Sequence, residues 1–506
     1  MKKSGFFFIF CITTFFSFVA GLLLIRFPPV SPDEVIVAVT ADNLVRGKGI
    51  QYSLYDDIYP SVIYPLRGNT VEEARVLYNA WVGAWTRLAP RNYVWLRWST
   101  LIIAIMAILS LFWLTRSSGG DLAAIMTGLL LLVNPVFWVS SCITGEHMLV
   151  FSGGALAVAI LVGTKSFLWK EFFIWGLVGL LVGVHPNILA FAVGFFIFGF
   201  VAKGENLSVK NIGLSILGFL FGAILVLAPV NWKNYLQLMQ SFYWQFIRPP
   251  LLSGDFTPLT WIVDTLRAVI NPASYYLRTD TAWGWSLSTN LYYLGLLPMI
   301  LVGFLQRSRA SKAFGFGELG LLLGMAFLVR RKEMTYTLLH SIFIVPLAAI
   351  GLQQAIRSRR LQWLAGITIT SLVASGACFA IFVRHYTSQD QGLKPLLQEA
   401  VRLIPNKDLK IAGPNFLWFG YEAVRDLGAL VVSRYQIGNT VDMRACLSQW
   451  KPDVLWIDPL FRRIHIGEQP LDTSLKTILS LRSVDKVGTV ESPHYGVYEI
   501  VRLQWE

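Results

Sequence analysis

Eleven apolar runs, near residues 5–27, 94–115, 122–141, 148–164, 172–186, 187–202, 211–229, 288–306, 315–329, 337–353 and 361–383, dominate this chain and leave it few ways to fold. Apolar stretches approaching 20 residues hide their backbone polar groups from hydrocarbon by forming helices. Several of the runs are too short to cross a bilayer alone, and such helices are tolerated where they line a protein-lined or water-filled cavity. Only 14% of the residues are charged, against about 25% in soluble domains. The run from Gly5 to Phe27 follows Met1-Lys2-Lys3, but it is long for a signal-peptide core and has no small-x-small cleavage site. It reads as a retained first span. The expectation is a polytopic α-helical protein of the cell (inner or plasma) membrane, with about eleven spans.

A net charge of +13 raises the question of nucleic acid, but the basic residues sit in short connections, where they orient a membrane protein. With the N-terminus inside, cytoplasmic connections hold Arg116, Lys165, Lys170, Lys203, Lys210, Arg307, Arg309, Lys312, Arg357, Arg359 and Arg360. Two long outer loops follow, 28–93 and 230–287. Residues 1–384 then form the membrane domain, and 385–506 form a domain outside the cytoplasm. The short runs meeting at His185-Pro186-Asn187 read either as a pair of helices or as one kinked span, which would invert everything after it. One outer turn breaks the charge rule: Arg330-Arg331-Lys332-Glu333.

Gly179-x-x-x-Gly183 and Gly218-x-x-x-Gly222 have the small-residue spacing that lets helices approach closely. Gly315-x-Gly317-x-x-Gly320 mimics a dinucleotide fingerprint, but it opens a membrane span instead of following a strand. Beyond residue 385, Lys410-Ile-Ala-Gly-Pro and Asp453-Val-Leu-Trp-Ile-Asp-Pro read as short buried strands, and Tyr495–Leu503 as another. Helical patterns fall near 393–403, 420–431 and 442–450. The alternation indicates a small α/β domain. The four cysteines are scattered, with neither metal spacing nor a disulfide framework.

Three places carry chemistry. Asp33 and Glu34 follow a proline-rich entry to the first outer loop, ahead of Val35 to Leu44, which reads as an amphipathic helix on the membrane. Adjacent carboxylates at a surface are commonly just solvated; held at the interface, Asp33 would meet a lipid-borne substrate. Glu146 and His147 lie in a short outer connection, where the alternative reading is a helix-capping Glu beside an interfacial His. His185 sits at the outer turn of the short helix pair. Ionisable groups at such depths are functional candidates, and a subset of these could hold a divalent metal.

In this order, Asp33-Glu34 with Ala41 to Gly49 downstream, Thr144-Gly145-Glu146-His147, Gly183-Val184-His185-Pro186-Asn187 and Lys332-x-x-x-Tyr336 resemble the polytopic GT-C glycosyltransferases. The likeness is to the bacterial branch near protein O-mannosyltransferases and lipid A aminoarabinose transferases, over about residues 5–355. It implies a GT-C-like membrane fold, a polyprenyl-phosphate sugar donor, outer-face catalysis and an acid in the first outer loop as base. Two departures stand out. Gly145 occupies a position that often holds Arg or Pro, and the Lys-Pro-Pro element of the aminoarabinose branch is missing, which disfavours that sugar and lipid A.

On this reading Asp33, Glu34 and Glu146 are catalytic, while His147, His185, Arg330, Arg331, Lys332 and Tyr336 bind substrate. The activity would be inverting hexosyl or pentosyl transfer to a glycan, lipid or protein acceptor. A lipid-linked glycan polymerase or ligase is the near alternative. A membrane transporter or flippase is the more distant alternative; it would show internal symmetry with paired interrupted helices, whereas this chain has two long outer loops and a terminal outer domain.

Overall fold

The computed structural model describes residues 32–48, 75–164, 169–185, 188–203, 208–228, 282–328, 334–388, 393–426, 443–466, 470–492 and 495–506, with isolated helical positions at 14, 19–21, 23–24, 263 and 266. The run 5–27 apart from those positions, residues 28–31 and 49–74 of the first outer loop, most of the second, Pro186-Asn187 and the Arg330-Arg331-Lys332 cluster lie outside them. So do the side chains of Asp33 and Tyr336.

In chain order the helices are α1 (Pro32–Val45), α2 (Val76–Leu88), α3 (Tyr93–Gly119), α4 (Asp121–Leu132), α5 (Pro135–Ser141), α6 (His147–Gly163), α7 (Lys170–Leu180), α8 (Ile188–Lys203), α9 (Val209–Leu227), α10 (Ala282–Phe304), α11 (Arg309–Leu328), α12 (Met334–Arg357), α13 (Gln362–Ser388), α14 (Leu393–Leu403), α15 (Met443–Trp450) and α16 (Leu471–Leu479). They divide between two compact units. The first takes in Arg97–His385 with Glu73–Tyr78; the second takes in Asn79–Leu96, Tyr386–Glu506 and α1.

The first unit is a helical bundle. Among the described residues, five helical segments are long and apolar enough to cross a membrane: Tyr93–Gly119, Val209–Leu227, Ser286–Phe304, Thr337–Arg357 and Gln362–Arg384. A sixth results if α4 and α5, bent by 68° at their junction, count as one span. That bend is local chemistry. Pro135 cannot continue the helix, and the Asn134 side chain accepts from Phe137 N at 3.1 Å to start the next one. α6 and α8 are shorter apolar helices. Most of α12 is buried, whereas Ile216, Leu220 and Ile224 of α9 and Ile367, Val373 and Ile381 of α13 point outward, as lipid-facing positions do.

Glycine sets the helix contacts. A Cβ on Gly179 would lie 2.2 Å from Phe219 O, one on Gly222 2.2 Å from Gly176 O, and one on Gly218 2.2 Å from Phe172 O. The two small-residue motifs therefore meet each other, backbone against backbone, across the α7–α9 contact. The Gly315–Gly320 segment lies in α11 as expected, with Gly320 beside Gly194 of α8 and Gly324 against the Ala190 backbone. Hydroxyl bonds tie α10 to α13: Ser288 Oγ donates to Ser375 O at 2.9 Å, and Ser375 Oγ to Ser288 O at 2.8 Å.

The second unit contains the α/β domain. Its sheet runs β2-β1-β3-β5-β4, built from β1 (Ile411–Gly413), β2 (Val424–Asp426), β3 (Val454–Ile457), β4 (Leu481–Ser492) and β5 (Gly496–Trp505). β1 pairs in parallel with β2 and β3; β5 is antiparallel to β3 and β4. Leu455, Ile457, Leu475, Leu479, Val501 and Leu503 fill its core. Two local expectations change. The helical pattern near 420–431 contains β2, because Val424 pairs with Ile411 at the sheet edge. And α1 is no amphipathic helix: Glu34, Thr40, Asp42 and Asn43 are buried along with Val35, Val37 and Val39.

Candidate active site

The break between α4 and α5 and the short loop that follows deliver Glu146 to the start of α6. Its backbone carbonyl accepts from Leu149 and Val150 N at 3.0 and 3.1 Å, but its carboxylate makes no cap. The capping role is thus set aside. The side chain turns to Arg75, whose Nη2 lies 3.0 Å from Oε1. His185 follows a 3₁₀ turn, Leu181–Gly183, with its own N–H on Leu181 O at 3.1 Å. Gly183 lets that turn sit on α9, since a Cβ there would come within 2.5 Å of Val226 Cβ.

The structure brings Glu146, His147 and His185 together within the first unit. The His185 and His147 Nε2 atoms lie 3.7 and 3.9 Å from Glu146 Oε1, and the rings stand 5.0 Å apart. Glu146 and His185 are buried. Burial alone would raise the Glu146 carboxyl, but Arg75, with His147 and His185 behind it, holds it down to about 2. Burial, then His147, pushes His185 well below its ordinary range, against the pull of Glu146. At neutral pH the site therefore holds an ionised carboxylate and a neutral imidazole.

Those are the protonation states a metal requires. One donor atom from each of the three residues lies within 4.8 Å of the others. Donors at about 2.0–2.2 Å from a tetrahedral ion sit roughly 3.4 Å apart, so sub-ångström shifts would complete the set. The residues fit a divalent ion, with Arg75 sharing the carboxylate.

Glu34 lies in the second unit, on α1, and is buried. The sequence reading missed two residues of the first unit's polar interior besides Arg75. Glu318 of α11 and His340 of α12 are both buried and pair at 2.6 Å, Oε1 to Nδ1. A signal was present for this pair, a carboxylate and an imidazole inside apolar runs. Arg75 had none, since it lies in a loop without a motif, 71 positions before its partner.

The chain shares the GT-C fold of solved membrane glycosyltransferases. ArnT from Cupriavidus metallidurans bound to undecaprenyl phosphate superimposes with a TM-score of 0.58, at 12% identity, over 99% of this chain and 98% of that one. The Archaeoglobus fulgidus oligosaccharyltransferase in its apo form matches with a TM-score of 0.56, at 11% identity, over 90% of this chain and 70% of that one. Its complex with Zn and sulfate gives 0.53, at 11% identity, over 89% and 68%. No sequence family and no curated protein matches the chain.

Proposed function

We propose that this protein is a membrane glycosyltransferase that takes a sugar from a polyprenyl-phosphate donor and passes it, with inversion, to an acceptor on the outer face of the membrane. The observation that carries this reading is the end-to-end likeness to ArnT, whose structure holds undecaprenyl phosphate. The Arg75–Glu146–His147–His185 cluster, with Glu146 and His185 buried and Arg75 and His147 half-buried where helix ends meet in the first unit, supports it.

In the proposed reaction the Asp33 carboxylate, assisted by Glu34, takes the proton of an acceptor hydroxyl. The oxygen attacks the anomeric carbon as the bond to the lipid phosphate breaks, and polyprenyl phosphate departs. General-base help of this kind is worth about 10²–10⁴-fold. Phosphate needs no strong acid to leave, but its growing charge needs fixed positive partners. Arg330, Arg331 and Lys332 are assigned that task, with Tyr336 orienting the donor. Glu146, His147 and His185 would hold a divalent cation, which supplies positive charge for an anionic group when bound. Arg75 keeps the carboxylate ionised and aimed.

The proposed topology puts the N-terminus inside and the C-terminal domain outside. The test is to incubate the purified protein in lipid nanodiscs with a panel of polyprenyl-phosphate hexoses and pentoses, with and without chelator. Acceptor-dependent release of polyprenyl phosphate from one of them is expected; release from none would refute the reading.

A further inference from the structure

The second unit contains α1, the helix that bears the proposed base, and the domain at the C-terminus of the chain. Three features join them. The 3₁₀ turn Asn415–Phe419, between β1 and β2, packs against α1. On another side, α2 comes so close that a Cβ on Gly83 would lie 2.8 Å from Val45 Cγ2 and 3.3 Å from Ala41 O. The α2–α3 turn then presents Arg91 to the domain. Its Nη1 donates to Tyr421 O at 2.6 Å, and its guanidinium lies 5.1 Å from the centre of the Trp418 ring. Tyr93, two residues on, meets Phe419 edge-on at 5.9 Å.

Arg91 does this at φ 56°. A non-glycine residue held there is strained and persists only where its surroundings over-determine it. The surroundings are specific. Burial lowers the Arg91 pKa against the opposing pull of Glu422 and Asp42. Asp42 belongs to α1, where Arg46 also binds it at 2.8 Å. The far side of the contact is anchored too, since Tyr421 OH donates to Ile404 O at 3.1 Å, just beyond α14.

We propose that the C-terminal domain is a positioning clamp for α1, working through Arg91, Trp418 and the Tyr421 carbonyl, and that Arg91 is a positioning residue for the transfer reaction. The proposal rests on the assignment of the base to the start of α1. It explains why the polar residues Glu34, Thr40, Asp42 and Asn43 of α1 are buried: a helix that must present a carboxylate within a fraction of an ångström needs rigid support. It also gives the domain a task that requires no ligand of its own.

The experiment combines hydrogen–deuterium exchange with steady-state kinetics on the full chain in nanodiscs. Arg91→Gly removes the side chain and relieves the backbone, and Trp418→Leu attacks the same contact from the domain. Either should speed exchange of the α1 amides about tenfold. Either should also lower kcat by up to about a hundredfold and leave the donor KM within about twofold. Arg91→Lys should recover part of both losses, because it restores a cation and a donor but not the planar fork. Arg402→Gln, at an exposed pair with Glu399, should change nothing. Unchanged α1 exchange in both disruptive variants overturns the clamp. Faster exchange with unchanged kcat overturns its catalytic purpose. A wild-type protein inactive on every donor overturns the transferase reading instead, while the exchange arm still decides whether the clamp exists.

Discussion

Replacing Arg75 with Gln tests the electrostatic account of the candidate site. The carboxyl of Glu146 falls from its ordinary 4.5 to about 2, which corresponds to about 3 kcal/mol in favour of the ionised form. Arg75 is the largest contributor to that drop, and it acts against the cost of burial. Removing one partner of a buried pair costs about 3–5 kcal/mol, because the other charge stays behind. Arg75→Gln should therefore destabilise the protein by about 3 kcal/mol at neutral pH. The double variant Arg75→Gln/Glu146→Gln should lose less than the sum of the single losses, with a coupling of about 2 kcal/mol. Because the folded carboxyl lies below its ordinary value, the stabilisation is complete above about pH 4.5 and fades as pH falls toward 2. Unfolding in mixed micelles with chelator present, as a double-mutant cycle at pH 7 and pH 4, measures it. A coupling below about 0.5 kcal/mol at both pH values would class the pair with solvent-screened surface bridges and refute the argument.

The α7–α9 contact predicts opposite outcomes for two alanines. Gly222→Ala would press a methyl to 2.2 Å from Gly176 O and should cost about 1–3 kcal/mol, whereas Gly366→Ala has nothing within 4 Å and should be neutral or stabilising in thermal unfolding. Arg331→Gln and Lys332→Gln should each raise the donor KM about tenfold or more, as loss of a charge-assisted phosphate contact does, while Arg307→Gln should leave it unchanged in the same steady-state assay. Reporter fusions after Lys312 and Arg360 should report cytoplasm and one after Trp450 the outside; a cytoplasmic signal from the last would overturn the proposed topology.

How much of this was legible in the sequence depended on whether the signal was local. Helices of the bundle were announced by unbroken apolar runs, and close helix approach by two glycine motifs; that α7 and α9 pair with each other emerges only in the fold. The bend between α4 and α5 was written in Asn134-Pro135, but a hydropathy window averages over a proline. β2 was mistaken for helix because three residues at a sheet edge are too few to display alternation; only pairing with Ile411–Gly413 makes them a strand. β4 escaped notice because register shifts between Leu481 and Ser483 and between Lys486 and Gly488 break its period of two. The burial of α1 was hidden for the opposite reason. Thr40, Asp42 and Asn43 look like a wet face in the sequence, yet all three are buried in the fold. Glu146, His147 and His185 could be named from depth and residue type, but the turn of Glu146 away from its helix toward Arg75 depends on tertiary packing alone.

The central claim concerns sugar transfer from a lipid phosphate with an outer-loop carboxylate as base, and a single comparison tests it. Wild type and Asp33→Asn, matched for insertion and for folding by thermal unfolding, are given the same polyprenyl-phosphate sugar and acceptor in nanodiscs. Released polyprenyl phosphate is then counted per protein. The wild type should turn over, and Asp33→Asn, which keeps shape and hydrogen bonding but not basicity, should fall by about 10²–10⁴-fold with donor binding intact. Near-wild-type release from Asp33→Asn, alongside its loss in Glu146→Gln, would contradict the account by moving the base to the other loop.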